Sequence, residues 1–278
     1  MNGIVFFKTA NLGMIKEFYG KVLELALWLD QGTCAIYKSG NQLWGFCQSV
    51  EAEIGATITL FYPDRGSVDV CYHELSALAD APPRANAKFG IYHFWAVDPE
   101  GRKLEFQSFD HAVEPYLAMD EGLMTRRSIR KYHLEPVPEQ LLNKVFQLCR
   151  YAPTANNCQS YYYVVIKDRS ILEKIVSVRG PAGEPIMASP YAIAVAARGD
   201  LSRRKVQDAC IAAYHLLLAA KAYGLGTCWV TDMDNEEVKR LLQVPAADYI
   251  ACVTPIGFPA ETFAIPKRHE VDSFVKYL

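Results

Sequence analysis

The densest chemistry in this 278-residue chain lies in Arg126-Arg127-Ser128-Ile129-Arg130, where three guanidinium groups and a hydroxyl fall within five residues. A guanidinium presents a fixed fork of donors that suits a phosphate or the hydrogen-bonding edge of a planar ring. Alternate residues of an extended segment share a side, so Arg126, Ser128 and Arg130 can face one ligand. By itself the pentad reads equally as a solvated basic run ahead of a helix. Three further stretches carry similar ambiguity. Ala152-Pro153-Thr154-Ala155-Asn156-Asn157-Cys158-Gln159 offers amides and hydroxyls to a planar ligand, or is a loop turned by two asparagines. In Tyr223-Gly224-Leu225-Gly226-Thr227-Cys228-Trp229 the glycines let a helix stop sharply and a backbone approach a flat ring, or serve as a plain cap. Pro266-Lys267-Arg268 adds two cations near the C-terminus.

These stretches sit between strongly written elements. Leu141, Val145, Leu148 and Ala152 fall on one face and predict a helix over 138–151, with Pro138 near its first turn. Strands are expected at 161–166, 191–197, 228–230 and 250–256. Helices are expected at 170–178, 202–223 and 236–242, the long one ended by Gly224. The second half is therefore an α+β or α/β three-layer domain.

The first half reads as one unit written twice: strand, helix, then three strands. The first copy has strands at 4–9, 26–29, 33–37 and 43–48 and a helix around 14–22. The second has strands at 56–62, 90–97 and 103–109 and a helix over 68–78, and is short of one strand or carries it faintly near Lys88. Asp98-Pro99-Glu100-Gly101 suits a type I turn. Such a unit cannot cover its own sheet, whereas two copies can bury that face together. The mixed stretch 110–121 marks the boundary, placed at 113/114.

Composition sets the outer limits. With 51% hydrophobic and 22% charged residues the chain can bury two cores, and its length suits two domains. A net charge of -2 gives no global attraction for nucleic acid or an anionic membrane, so neither partner is expected. No C-x-x-C pair occurs among the eight cysteines, which reads as buried thiols of a reducing cytoplasm. No signal peptide is evident, and the apolar run 209–225 is interrupted by His215, Lys221 and Gly224, as in a core helix.

Taken in order, the four motifs of the second half resemble the nitroreductase family of FMN enzymes, over roughly 122–278. The matching residues are Arg126-Arg127-Ser128-Ile129-Arg130, Ala152 to Gln159, Gly224-Leu225-Gly226-Thr227-Cys228-Trp229, and Ile256-Gly257-Phe258-Pro259 followed by Lys267-Arg268. Ser160 departs from the pattern, which usually has proline there. The resemblance implies an FMN phosphate held by Arg126, Arg127, Lys267 and Arg268. It implies Ser128 and Arg130 at the ribityl chain or pyrimidine edge, Thr154 and Asn157 at the ring edge, and the backbone of Trp229, Val230 and Thr231 at N5 and O4. It further implies a homodimer with flavin at the subunit interface. NAD(P)H would give hydride to the flavin and leave, and a small acceptor (nitroaromatic, quinone or enone) would replace it. No catalytic side chain is required, because the flavin carries the reaction. Relatives that dehalogenate or destroy flavin need added lid segments, and 177–190 is short for one.

The first half resembles the glyoxalase/bleomycin-resistance (vicinal oxygen chelate) family through Phe18-Tyr19-Gly20-Lys21-Val22-Leu23 and through Asp98-Pro99-Glu100-Gly101 leading to Glu105. Glu24 stands where that family usually has glycine. Only Glu105 falls on a usual ligand position, and His93 could approach it across the hairpin, so no metal is expected. Trp28, Tyr37, Trp44, Phe46, Tyr92, Phe94 and Trp95 either line a cup for a planar molecule or serve as core. The fold expected is α+β: paired βαβββ units, glyoxalase-like (1–113), then a three-layer nitroreductase-like FMN domain (114–278). An alternative reading makes the first domain the binding module for a flavin or small aromatic metabolite, with little turnover.

Overall fold

A computed structural model describes residues 3–111, 113 and 117–278. The chain divides into two compact units, Met1–Glu114 and Pro115–Leu278. The expected boundary at 113/114 touches residue 114, which lies outside the described residues.

The first unit is the same module built twice. Module one runs β1 (Ile4–Thr9), α1 (Leu12–Glu17) continued by a π turn over Phe18–Val22, β2 (Ala26–Asp30), β3 (Cys34–Ser39) and β4 (Gln42–Gln48). Module two runs β5 (Thr57–Tyr62), α2 (Arg65–Leu75), β6 (Arg84–Asn86), β7 (Ile91–Val97) and β8 (Lys103–Phe109). The faint strand of the second copy is β6, only three residues long. Both sheets are mixed and share one order, β1-β4-β3-β2 and β5-β8-β7-β6, with the first and last strand of each module parallel.

One hydrophobic cluster draws on both modules. Phe7, Ile15, Tyr19 and Phe46 come from the first, and Val68, Phe94, Leu104 and Phe106 from the second. Neither sheet covers its own face, and the shared core is the solution. Glu24 follows the π turn with φ 51°. It keeps the left-handed backbone that glycine would adopt more easily, so the helix end survives the substitution.

Cysteine chemistry differs from the expectation at two positions. Cys34 and Cys47 face each other across β3 and β4 and are joined as a disulfide. Direct cross-strand placement brings their side chains together, which spacing along the chain does not reveal. Cys71, Cys149, Cys228 and Cys252 are buried thiols. No helix among the described residues is long and apolar enough to cross a membrane.

The second unit runs α3 (Met119–Thr125), α4 (Glu139–Cys149), β9 (Tyr161–Ile166), α5 (Arg169–Arg179), α6 (Glu184–Met187), β10 (Tyr191–Ala197), α7 (Lys205–Ala222), β11 (Gly226–Thr227), α8 (Glu236–Leu242) and β12 (Tyr249–Gly257). The sheet order is β11-β12-β10-β9, antiparallel throughout, so the layers belong to an α+β rather than a parallel α/β arrangement. β10 shows why its sequence is apolar without a break. Ile193, Val195 and Ala197 pack in the cluster containing α4 and α7 residues. Ala192, Ala194 and Ala196 pack in the opposite cluster, with α5 and α8 residues. A strand covered on both faces loses its polar alternation. The strand expected at 228–230 is shorter and earlier, at Gly226–Thr227, and Val230 makes only an isolated bridge to Val253.

Candidate functional site

Three of the four motifs meet at one edge of the second sheet. Ser128 bridges Thr227 in parallel, and the Ile129 amide donates to the Thr227 carbonyl at 2.9 Å. Four residues on, Tyr132 bridges Pro259 and the His133 amide donates to the Phe258 carbonyl. The basic pentad is therefore an extended strip along β11 and the exit of β12. Glu261 fixes its far end by accepting the amides of Arg130 at 2.6 Å and Lys131 at 3.0 Å.

Gly224 stops the long helix as the sequence suggests, and Gly226 adds a packing role. Gly224 has φ 74° and ends α7, and the Leu225 amide closes back on the Ala220 carbonyl, a left-handed cap. Gly226 is needed for packing against the pentad. A Cβ there would sit 2.8 Å from Ile129. Only a residue without one lets the basic strip lie flat on β11.

Among the described residues, Arg127 and Arg130 are held by backbone carbonyls and neither pairs with a carboxylate. Arg127 donates from Nη1 to the carbonyls of Met124 at 2.7 Å and Arg126 at 2.6 Å, and from Nε to Ala264 at 3.5 Å. Its Nη2 is buried with no partner. Among the described residues no carboxylate pairs with it. Ala264 lies three residues before the exposed Lys267-Arg268 pair. Lys221, on the last turn of α7, adds a further amine that sequence reasoning missed. Burial and the nearby Arg127 push its pKa down, against the pull of Glu121. Cys228 reports the same field. Burial pushes its thiol pKa up, while Arg130, the Ser128 hydroxyl and Arg126 pull it back.

Beside this strip, a cavity of about 340 Å³ is lined by Arg130, Arg179, Glu184, Trp229, Val230 and Thr231. Arg179 is a second missed residue. It donates from Nε to the Thr231 carbonyl at 2.7 Å and pairs with Asp232 at 2.9 Å, which fixes the Trp229–Thr231 backbone. Its signal was present as the basic end of α5, without a motif around it.

The fourth motif lies elsewhere. Asn156, Asn157 and Gln159 take positive φ of 51°, 52° and 48°. Asparagine tolerates that region better than most residues. The loop is anchored to α7 through Asp208, 1% exposed, which accepts from the Ala155 amide at 3.0 Å and the Ser160 hydroxyl at 2.8 Å. Ser160, the departure from the family pattern, thus ties the loop down. Burial pushes the Asp208 pKa up, but donors from Ser202, Ala155, Ser160 and Cys158 outweigh it and hold the carboxyl below its ordinary range. Asp208 lies in the first turn of α7 and Gly224 follows its last, so the two ends are roughly 24 Å apart at 1.5 Å per residue. Thr154 and Asn157 stand at one end, Arg126 and Arg127 at the other.

In the first unit, His93 Nδ1 meets Glu105 Oε1 at 2.6 Å, and Thr59 donates to Glu105 at 3.0 Å. The hairpin approach is real, but among the described residues no three His, Cys, Asp or Glu side chains converge to hold a metal. Of the aromatics, Tyr37, Trp44, Phe46 and Phe94 are core, Trp28 is exposed and Trp95 lines a recess.

An antiparallel three-layer domain with an unneutralised basic strip at its sheet edge is the class that this geometry defines. The nitroreductase family model matches residues 123–180 and 179–258. The putative NADH dehydrogenase/NAD(P)H nitroreductase of Methanothermobacter thermautotrophicus is 36% identical over 148 residues, 51% of this chain and 77% of that protein. Its namesake from Archaeoglobus fulgidus is 31% identical over 147 residues, 50% of this chain and 84% of that protein. An FMN-dependent nitroreductase from Clostridium difficile superposes with a TM-score of 0.52 at 26% identity, covering 56% of this chain and 96% of that one. The chain belongs to the nitroreductase family, and its relatives there are NAD(P)H oxidoreductases.

Proposed function

We propose that the C-terminal unit binds FMN and uses NAD(P)H to reduce small organic acceptors of nitroaromatic, quinone or enone type. The carrying observation is the buried, partnerless Nη2 of Arg127 within a strip that holds its cations on backbone carbonyls. A buried donor left without an acceptor is costly, and a phosphate would satisfy it with charge-assisted hydrogen bonds. Arg126, Arg127, Lys267 and Arg268 would hold that phosphate. Ser128 and Arg130 would reach the ribityl chain and pyrimidine edge, where a positive charge favours reduced flavin. The backbone of Trp229, Val230 and Thr231 would accept the reactive edge of the ring in the cavity that Arg179 shapes. FMN, once bound, supplies the hydride chemistry in both half-reactions.

Thr154 and Asn157 are too far along α7 to join this site in the same chain, which supports a homodimer in which a second copy brings its own loop. α7 exposes Val206, Ile211 and Tyr214, apolar area suited to such a contact. Domains divided at 113/114 and a glyoxalase-like first domain without metal complete the reading. The repeated βαβββ order and the Asp98 to Glu105 motif support that assignment. Purified protein should be yellow, bleach with NAD(P)H under argon, and sediment as a dimer. A colourless protein that takes up no flavin on reconstitution would sink this reading.

A further inference from the structure

We propose that the first unit binds a small aromatic carboxylate in a recess on module two, with Trp95 as the platform and Lys103 as the reader of the charge. The recess is about 680 Å³, within the usual size of small-molecule sites. Its place follows from strand register. Phe94, Ala96, Leu104 and Phe106 point into the shared core. Trp95, Val97 and Lys103, out of step with them, lie on the opposite face. Val97 pairs with Lys103 across β7 and β8, and Thr57 pairs with Lys103 across β5 and β8. One row thus sets an apolar wall, a cation and a hydroxyl side by side, next to the indole.

The platform is fixed before any ligand arrives. The Trp95 ring meets His93 edge-on, centroids 5.8 Å apart, and His93 is itself held by Glu105. The Trp95 backbone is held twice by Asp80, which donates its amide at 2.9 Å and accepts the Trp95 amide on its carboxylate at 3.3 Å. A pre-set aromatic face binds with little loss of side-chain freedom. Charge selects the ligand. Asp80 is compensated by Arg84 at 3.6 Å, whereas Lys103 makes no ion pair among the described residues. Lys103 is exposed and lines the same recess. An apolar wall with one uncompensated ammonium suits a planar body carrying a carboxylate, the body on Trp95 and Val97, the charge at Lys103. This inference does not depend on flavin binding in the second unit.

Calorimetric titration of the full-length protein with 2-naphthoate and with its neutral amide tests it. The carboxylate should bind about tenfold more tightly than the amide, the order expected of one charge-assisted contact. Lys103→Gln should remove that preference and Lys103→Arg should keep it. Trp95→Ala should abolish binding of both compounds and Trp95→Phe should retain it, which separates loss of the platform from loss of the fold. No binding at millimolar naphthoate overturns the proposal. So does binding that ignores Lys103→Gln and Trp95→Ala while shifting the flavin absorption band, since the compound then sits in the other unit.

Discussion

Arg102 and Arg127 are the same side chain put to opposite uses. Arg102 is fully buried and pairs with Asp98 at 2.7 Å and Glu100 at 2.6 Å, while its Nη2 also donates to the Lys8 carbonyl. Glu100 in turn accepts from the Thr9 hydroxyl and the amides of Ala10 and Asn11. The Asp98 turn of module two is thereby bolted to β1 and α1 of module one. Arg127 is half-buried and, among the described residues, has only carbonyls as partners; each arginine keeps one buried nitrogen without an acceptor, Nε in Arg102 and Nη2 in Arg127. A buried cation whose counter-charges are built into the chain is structural. A half-buried one without them can take its counter-charge from outside.

Arg102→Ala leaves two buried carboxylates uncompensated and should cost about 3–5 kcal/mol in urea unfolding of the full chain. Arg127→Ala should leave the unfolding midpoint nearly unchanged and weaken flavin binding by about 10–100-fold, the value of a charged hydrogen bond worth ~1.5–3 kcal/mol. Equal losses of stability in the two variants would end the distinction.

Acid should separate the two sites as well. Burial pushes the Glu100 pKa up, but Thr9, Asn11, Arg102 and Ala10 bring it below the usual carboxylate range. A depressed folded pKa stabilises above the unfolded value of ~4.3, and that stabilisation fades as pH falls toward the folded value. Unfolding midpoints followed by circular dichroism should therefore drop below pH ~4. Flavin affinity should weaken earlier, below pH ~6, where a phosphate monoester loses its second charge and Arg127 keeps its own. The smallest effect is expected at Ser160→Ala. It removes one hydrogen bond to Asp208 and should cost about 1 kcal/mol. If Thr154 and Asn157 complete a partner's site, flavin affinity should fall with it.

Much of the second unit was legible because its signals are local. The helices α4, α5, α7 and α8 follow from apolar spacing and caps, and the pentad's cations from residue type. β10 was legible because strands buried on both faces are written without polar breaks. β6 was not, since three residues at an edge carry no period. Cys34 and Cys47 could not be paired from spacing, because the pairing depends on the register between β3 and β4. The packing of Gly226 against Ile129, almost a hundred residues earlier, could not be read from the sequence either.

The sequence by itself determined which groups can do chemistry: a basic strip, a glycine turn, an asparagine loop and a distant pair of cations. These are properties of residue type and order. Tertiary structure decided which of them meet. Hydrogen bonding of the pentad to β11 and to the exit of β12 put Arg126 to Arg130, Gly226 and Phe258 together. The rigid length of α7 held Asn157 at the far end. It also decided that Arg102 is neutralised and Arg127 is not, because burial and the approach of counter-charges belong to the packed fold and not to the order of residues.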